Sequence, residues 1–444
     1  MKLAVVVMAA GMGARMNSKT PQALQPILGR QMLGHILAAV KPLHPVETVV
    51  VGELEADRAR AEFGDQAIFA VQSPPSDAGY AAQQARALLD GKAEAILVLP
   101  GNMPLLSTQT LQRLMTLYQS GRGPLAMLTV ERPNPLGFAR IIRDEQGYVQ
   151  AIVEEAACAP EQKAMREVNT GVYVFEAAWL WENLAEISLS AKEEYYVTDL
   201  IRLAVKLGQP IQAELLADPV EALEVNNCAH LAEVEAVLRQ KVNQKWMEAG
   251  VTMLDPATTY IELDVTIGPD TVIYPNTYLL GQTTIGRDCF IGPNSFILDS
   301  TVGNNCKARF SVVEQSVLED HVGVGPFSHL RNGAHLAKDV YMGNFGEVKN
   351  SYLGPGTKMG HFSYLGDTTT GKNVNIGAGA ITCNFDGVKK HPTHIDDGAF
   401  IGSDTMLVAP VNVGKNAKTG AGSVVTKDVP ADALVRGVPA QVKK

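Results

Sequence analysis

The chain has 444 residues, of which 46% are hydrophobic and 19% charged, and carries a formal net charge of −9. That length exceeds one compact core, so two or three domains are expected. The acidic balance argues against a nucleic-acid partner, and no apolar run reaches membrane-spanning length.

Residues 2–10 read as a buried strand, apolar without alternation and ended by glycines. The turn Gly11-Met12-Gly13-Ala14-Arg15 follows, then a helix over about 31–40 and a strand over 47–51. A helix around 56–63, a strand at 67–71, a helix at 79–89 and a strand at 95–100 continue the alternation. Strands alternating with helices predict a parallel α/β sheet that takes ligands at its strand C-termini. From about residue 228 to 249, Leu231, Val234, Leu238, Val242 and Trp246 form one apolar stripe at helical spacing, read as a helix packing on its own domain and connecting two. Past Asp264 a new beat begins. Ile267, Ile273, Leu279, Ile285, Ile291 and Ile297 stand six residues apart, and Ile401, Leu407, Val413, Thr419 and Val425 repeat the step. A six-residue beat fits neither a helix nor an alternating sandwich strand; it predicts a solenoid in which each short strand sends one side chain inward. The stretch from 302 to 400 is less regular, which suggests loops leaving the coil.

Cys158, Cys228, Cys289, Cys306 and Cys383 form no C-x-x-C pair and are odd in number. A disulfide framework or thiolate zinc site is not expected, and a reducing cytoplasm is. The N-terminal apolar run meets a glycine-rich turn where a signal peptide would have its cleavage site.

These features in this order resemble the bifunctional N-acetylglucosamine-1-phosphate uridylyltransferase / glucosamine-1-phosphate N-acetyltransferase family, from about Leu3 to Val438. The motifs that carry the likeness are EYYVTDLI at 194–201, GHFSYLGD at 360–367, NVNIGAGAITCNFDG at 373–387 and IGSDTMLVAPVNVG at 401–414. The resemblance implies a Rossmann-like α/β nucleotidyltransferase domain (residues 1–227), a connecting helix (228–250) and a left-handed parallel β-helix (251–444). It also implies a homotrimer, acetyl-CoA as co-substrate and a role in making UDP-N-acetylglucosamine, a cell-wall precursor.

For the acetyltransferase, the resemblance identifies His361 as general base, a role suited to an imidazole that titrates near neutrality. Arg331, Lys349 and Lys390 match the cations that hold the sugar phosphate, the arginine through its planar fork. Tyr364 and Asn375 match sugar contacts. Ala378, Asn384, Phe385, Ser403 and Ala421 match the acetyl-CoA path, where an asparagine at 384 could steady the oxyanion. Phe385 and Asn332 depart from the family's usual Tyr and Pro, and Arg436 is one residue displaced from its late arginine.

In the nucleotidyltransferase half, Ala9, Ala10, Gly11, Gly13, Arg15 and Met16 keep the glycine-rich start that cradles phosphates. Gly137, Glu154, Asn169 and Asn226 match sugar-nucleotide contacts. Three changes set the sequence apart. Gln22 replaces a lysine and so removes a charge from the triphosphate. Pro75, Asp77 and Ala78 alter the uracil-recognition segment. Asn102 replaces a metal-binding aspartate, leaving Asn102 and Asn226 as a weak site for Mg2+, an ion that favours carboxylates. The expectation is therefore an active acetyltransferase with an impaired uridylyltransferase. A fully bifunctional enzyme, which would also use UTP and Mg2+, and a non-catalytic sugar-nucleotide-binding scaffold are the alternatives.

Overall fold

The computed structural model describes residues 1–9, 16–52, 56–71, 78–184 and 197–443. The chain divides into two compact units, Met1–Ala236 and Val237–Lys444.

In the first unit strand Leu3–Met8 lies between Glu47–Gly52 and Ala95–Pro100, parallel to both. Ile68–Val71 extends the sheet parallel on one side, and Glu167–Glu176 runs antiparallel to Ala95–Pro100 on the other. Leu125–Glu131 and Gln212–Leu215 complete that edge. The apolar runs read as buried strands are buried on both faces. Leu3, Val5, Val7, Val50, Leu97 and Leu99 enter one core, while Ala4, Val6, Val49, Val51, Ile96 and Val98 enter another. Strand order reverses at Leu3–Met8, so the carboxyl ends at Met8, Gly52 and Pro100 frame the crevice where such sheets take ligands.

Helix Cys228–Glu248 spans the residues where the two units meet in sequence. Of its apolar stripe, Val234 and Val242 are buried; Leu231, Leu238 and Trp246 are half-buried. Asn243 is buried too. Its Nδ2 donates to the carbonyls of Pro256 (2.8 Å) and Thr259 (2.9 Å), fixing the helix end to the first coil of the second unit.

The second unit is a left-handed parallel β-helix with three sheets of 12, 10 and 9 strands. Every residue of both six-step series is buried. Coils stack like on like: Ile273 on Ile291, Ile267 on Ile285, Leu279 on Ile297. Asp and Asn occupy many corners with positive φ, among them Asp270, Asn276, Asp288 and Asn294. These are the non-glycine residues that tolerate the left-handed region best.

Residues 302–383 are more regular than the sequence beat suggested. Val302 pairs with Leu318, Leu318 with Leu336 and Leu336 with Leu353, so the coil continues while its corners lengthen or shorten by a residue. One excursion lies further on, between Cys383 and Thr393: Thr368 pairs with Thr393 across a longer step than its neighbours.

Candidate functional sites

Two adjoining surfaces of the β-helix gather the acetyltransferase candidates. The first is a corner. Strands Tyr341–Met342, Lys358–Met359, Asn375–Ile376 and Phe400–Ile401 stack in register, Met342 on Met359 on Ile376 on Ile401. Lys418–Thr419 follows through the pair Phe400–Lys418. A glycine ends each: Gly343, Gly360, Gly377, Gly402 and Gly420. Close packing of coils demands several of them. A Cβ on Gly343 would stand 1.9 Å from the Gly360 oxygen, and one on Gly402 would stand 2.9 Å from the Ala421 nitrogen. After the last four of these glycines come His361, Ala378, Ser403 and Ala421, so these four form one column. Asn375 lies three residues before Ala378, on the strand that leads into this corner. Arg436 stands one position before this column, level with the glycines: Thr419 pairs with Val435, and a Cβ on Gly420 would meet the Arg436 Cβ at 2.8 Å. The one-residue displacement seen in sequence therefore still leaves an arginine at this corner.

The second surface is the outer face of the neighbouring sheet, where Arg331 pairs with Lys349 and Lys349 with Gly366. Arg331 Nη1 donates to Glu347 Oε1 at 2.8 Å. The adjacent Lys390, and then Arg331, hold the Lys349 ammonium below the usual lysine range, with Asp367 pulling the other way. The three cations thus converge. Beside them Asn384 Nδ2 donates to Asp367 Oδ2 and Asn350 Nδ2 to Asp367 Oδ1, both at 2.6 Å. Gly366 leaves the room for this: a Cβ there would lie 2.3 Å from the Tyr364 hydroxyl and 2.6 Å from Asn384 Nδ2.

Lys390, Asn384 and Phe385 reach this surface on the excursion after Cys383. Its fold is local. Asp386 Oδ1 accepts from the backbone N–H groups of Val388 and Lys389, both at 2.8 Å, and Asp386 Oδ2 pairs with His391 Nε2 at 2.6 Å. The His391 N–H closes the loop on the Asn384 carbonyl at 2.7 Å, and Phe385 bridges to Lys390. The N–H of Lys389, then the imidazole of His391, hold the Asp386 carboxyl down to about 2. Sequence reasoning passed over Asp386, His391 and Asp367, although an Asp-Gly pair between two strands is itself a turn signal.

In the first unit Ala10, Gly11, Gly13, Arg15, Pro75 and Asp77 lie outside the described residues, as do the first three residues of the EYYVTDLI motif and the side chain of Ala78. Ala9 is buried at the end of the first strand, its N–H on the Val51 carbonyl at 2.7 Å. Glu224-Val225-Asn226 runs alongside. Gln22 Nε2 donates to the Val225 carbonyl, and the Val225 N–H donates to the Asn102 carbonyl at 2.9 Å. Asn102 Nδ2 donates to Asn226 Oδ1 at 2.9 Å, and Asn226 Nδ2 to Glu224 Oε2 at 3.0 Å. Asn169 is fixed at both ends of its amide, Nδ2 to the Tyr173 hydroxyl at 2.7 Å and Oδ1 from the Gly171 N–H at 3.1 Å. Glu154 adds a negative charge near Tyr173, and the Asn169 N–H reaches the Ala139 carbonyl, two residues past Gly137. Among the described residues no group of three or more His, Cys, Asp or Glu side chains could hold a metal, and no helix is long and apolar enough to cross a membrane.

The comparisons with known proteins follow the same division. The MobA-like NTP transferase domain family matches residues 5–167. Bacterial transferase hexapeptide repeats match 264–299, and a hexapeptide repeat of succinyl-transferase matches 392–427. A protein from Heliobacterium modesticaldum is 44% identical over 434 residues, 98% of this chain and 95% of that protein. One from Lactococcus lactis subsp. lactis is 44% identical over 440 residues, 99% and 96% of the two chains. One from Fervidobacterium nodosum is 45% identical over 441 residues, again 99% and 96%. All three bear the name Bifunctional protein GlmU.

Proposed function

The chain belongs to the bifunctional GlmU family, and from that premise we propose that it catalyses two group transfers, one on each unit. The β-helix acetylates the amine of glucosamine-1-phosphate from acetyl-CoA. The N-terminal unit transfers UMP from UTP to the resulting N-acetylglucosamine-1-phosphate, giving UDP-N-acetylglucosamine and pyrophosphate. The fully bifunctional reading replaces the expectation of an impaired uridylyltransferase, because relatives matching 98–99% of this chain carry the bifunctional name.

The observation that carries the acetyltransferase reading is the convergence of Arg331, Lys349 and Lys390 beside Tyr364 and Asn384. Three cations are the recognition chemistry of a phosphate. In this reading His361 takes the proton as the sugar nitrogen attacks the thioester carbonyl. The C–N bond forms, the C–S bond breaks, and the CoA thiolate leaves with that proton. Asn384 keeps one N–H for the developing oxyanion while Asp367 holds the other. The column Ala378, Ser403 and Ala421 gives the pantetheine arm a small-residue track, with the Arg436 cation one register position away at its end. Phe385, 60% exposed on this loop, offers an apolar cover. Tyr364 and Asn375 supply hydroxyl and amide bonds to the sugar.

In the nucleotidyltransferase unit, Ala9 and the glycine-rich start would bind UTP in this reading, while Gly137, Glu154 and Asn169 take the sugar. Asn102 and Asn226 would offer oxygen donors to Mg2+ beyond the end of strand Ala95–Pro100. When bound, that ion would neutralise phosphate charge.

The phenylalanines Phe310, Phe327 and Phe345 stack on one edge of the β-helix, with Phe327 and Phe345 more than half exposed. Apolar surface of that kind supports the trimer that the hexapeptide fold suggests. Five free cysteines suit a cytoplasmic protein.

Two assays on one preparation test the proposal. CoA release with glucosamine-1-phosphate should be lost in His361→Ala, and pyrophosphate should be released from UTP, Mg2+ and N-acetylglucosamine-1-phosphate. Absence of pyrophosphate alone would return the N-terminal unit to the impaired reading. Absence of both products would leave a binding scaffold.

A further inference from the structure

We infer that Glu224 supplies the carboxylate of the N-terminal cation site, restoring the negative charge that Asn102 lacks. The inference rests on the uridylyltransferase reading of that unit. Asn102 and Asn226 alone form a neutral donor pair, a poor match to Mg2+. Glu224 changes the balance, and the local backbone shows why it is there. Val225 is fully buried, while the half-buried Glu224 and Asn226 on either side of it turn their side chains toward each other. Their bond, Asn226 Nδ2 to Glu224 Oε2 at 3.0 Å, bears this out. Both ends of the Val225 peptide are fastened, its N–H to the Asn102 carbonyl and its carbonyl by Gln22. The segment is therefore anchored to the end of strand Ala95–Pro100, at the reversal point of the sheet.

The amide geometry accommodates a cation. Asn102 Nδ2 lies 2.9 Å from Asn226 Oδ1. Turning the Asn102 amide over exchanges its nitrogen and oxygen without moving heavy-atom positions. Two oxygens would then stand at that spacing, which is about the 2.9 Å between adjacent ligands of an octahedral Mg2+ with bonds of about 2.0–2.1 Å. Such a pair repels unless a cation lies between. Glu224 would hold the ion directly or through one of the waters that Mg2+ retains. Burial holds the Arg132 guanidinium below the usual arginine range while Glu224, and then Glu233, pull it back up, so Arg132 offsets part of the Glu224 charge.

Mn2+ titrated into the full-length protein, with the free aqua ion counted from its EPR signal, tests this apart from turnover. Glu224→Gln keeps an oxygen for the Asn226 amide and loses only the charge. It should weaken the tightest Mn2+ site by about tenfold or more. Adding Asn102→Asp to it should recover the binding. Unchanged binding in Glu224→Gln would overturn the inference, as would a wild-type protein that binds no Mn2+. Pyrophosphate release, measured in parallel, separates the two claims. Mn2+ binding that depends on Glu224 without any pyrophosphate sinks the uridylyltransferase reading and leaves the cation site standing.

Discussion

Gly366 shows how narrowly the proposed acetyl-transfer chemistry is placed. It sits where Tyr364 folds its hydroxyl back toward Asn384, and even one methyl group would overlap both. Gly366→Ala should therefore displace the sugar contact and the oxyanion donor together. A misplacement of about 1 Å can cost roughly 100-fold in rate, so kcat should fall and KM for glucosamine-1-phosphate should rise. KM for acetyl-CoA should stay near its wild-type value, because the corner column lies on other strands. Steady-state kinetics in both substrates check this. His361→Ala removes a base rather than a position. Its expected signature is a loss of about 100-fold or more in kcat with both KM values retained.

At the scale of elements, the loop after Cys383 is ordered by one carboxylate. The folded-state pKa of Asp386 is depressed to about 2 against an unfolded value of about 4. Its ordering effect is thus fully present above pH 4 and lost as pH falls through 2. Exchange protection of the Val388 and Lys389 amides, corrected for intrinsic rates, should drop across that window, and Asp386→Asn should remove it at every pH. The coils answer to a different force. Ile291 lies fully buried between Ile273 and Ala308. Ile291→Ala should cost about 2–5 kcal/mol in a denaturation midpoint analysis. The solenoid was legible because its buried residues recur on a fixed beat. Over 302–383 that legibility failed, since a corner one residue longer or shorter shifts the beat without breaking the strand pairing. The corner column was legible only as scattered motif positions; Gly343, Gly360, Gly377, Gly402 and Gly420 reveal it once the coils are stacked. Asp386 and His391 were missed because their bonds join residues that carry no familiar spacing, and Glu224 because its partner lies two residues along a segment without regular structure, whose course sequence alone does not fix.

Across the whole molecule the two proposed chemistries stand on separately cored units, so changes in one should leave the other alone. The substitutions at Gln22 and Asn102 offer the sharpest use of that independence. Gln22 is 9% exposed, and its Nε2 holds the Val225 carbonyl, a bond a lysine ammonium could also make while adding charge. Asn102→Asp brings a second carboxylate to a donor set that otherwise relies on Glu224. The pair Gln22→Lys with Asn102→Asp should therefore raise pyrophosphate release by about tenfold or more, equivalent to about 1.4 kcal/mol of barrier. CoA release should not change. In the Asn102→Asp background, Glu224→Gln should also cost less pyrophosphate release than it does in the natural chain, because two groups serving one ion do not add. Equal losses in both backgrounds would mean that Glu224 and the side chain at position 102 act on different steps.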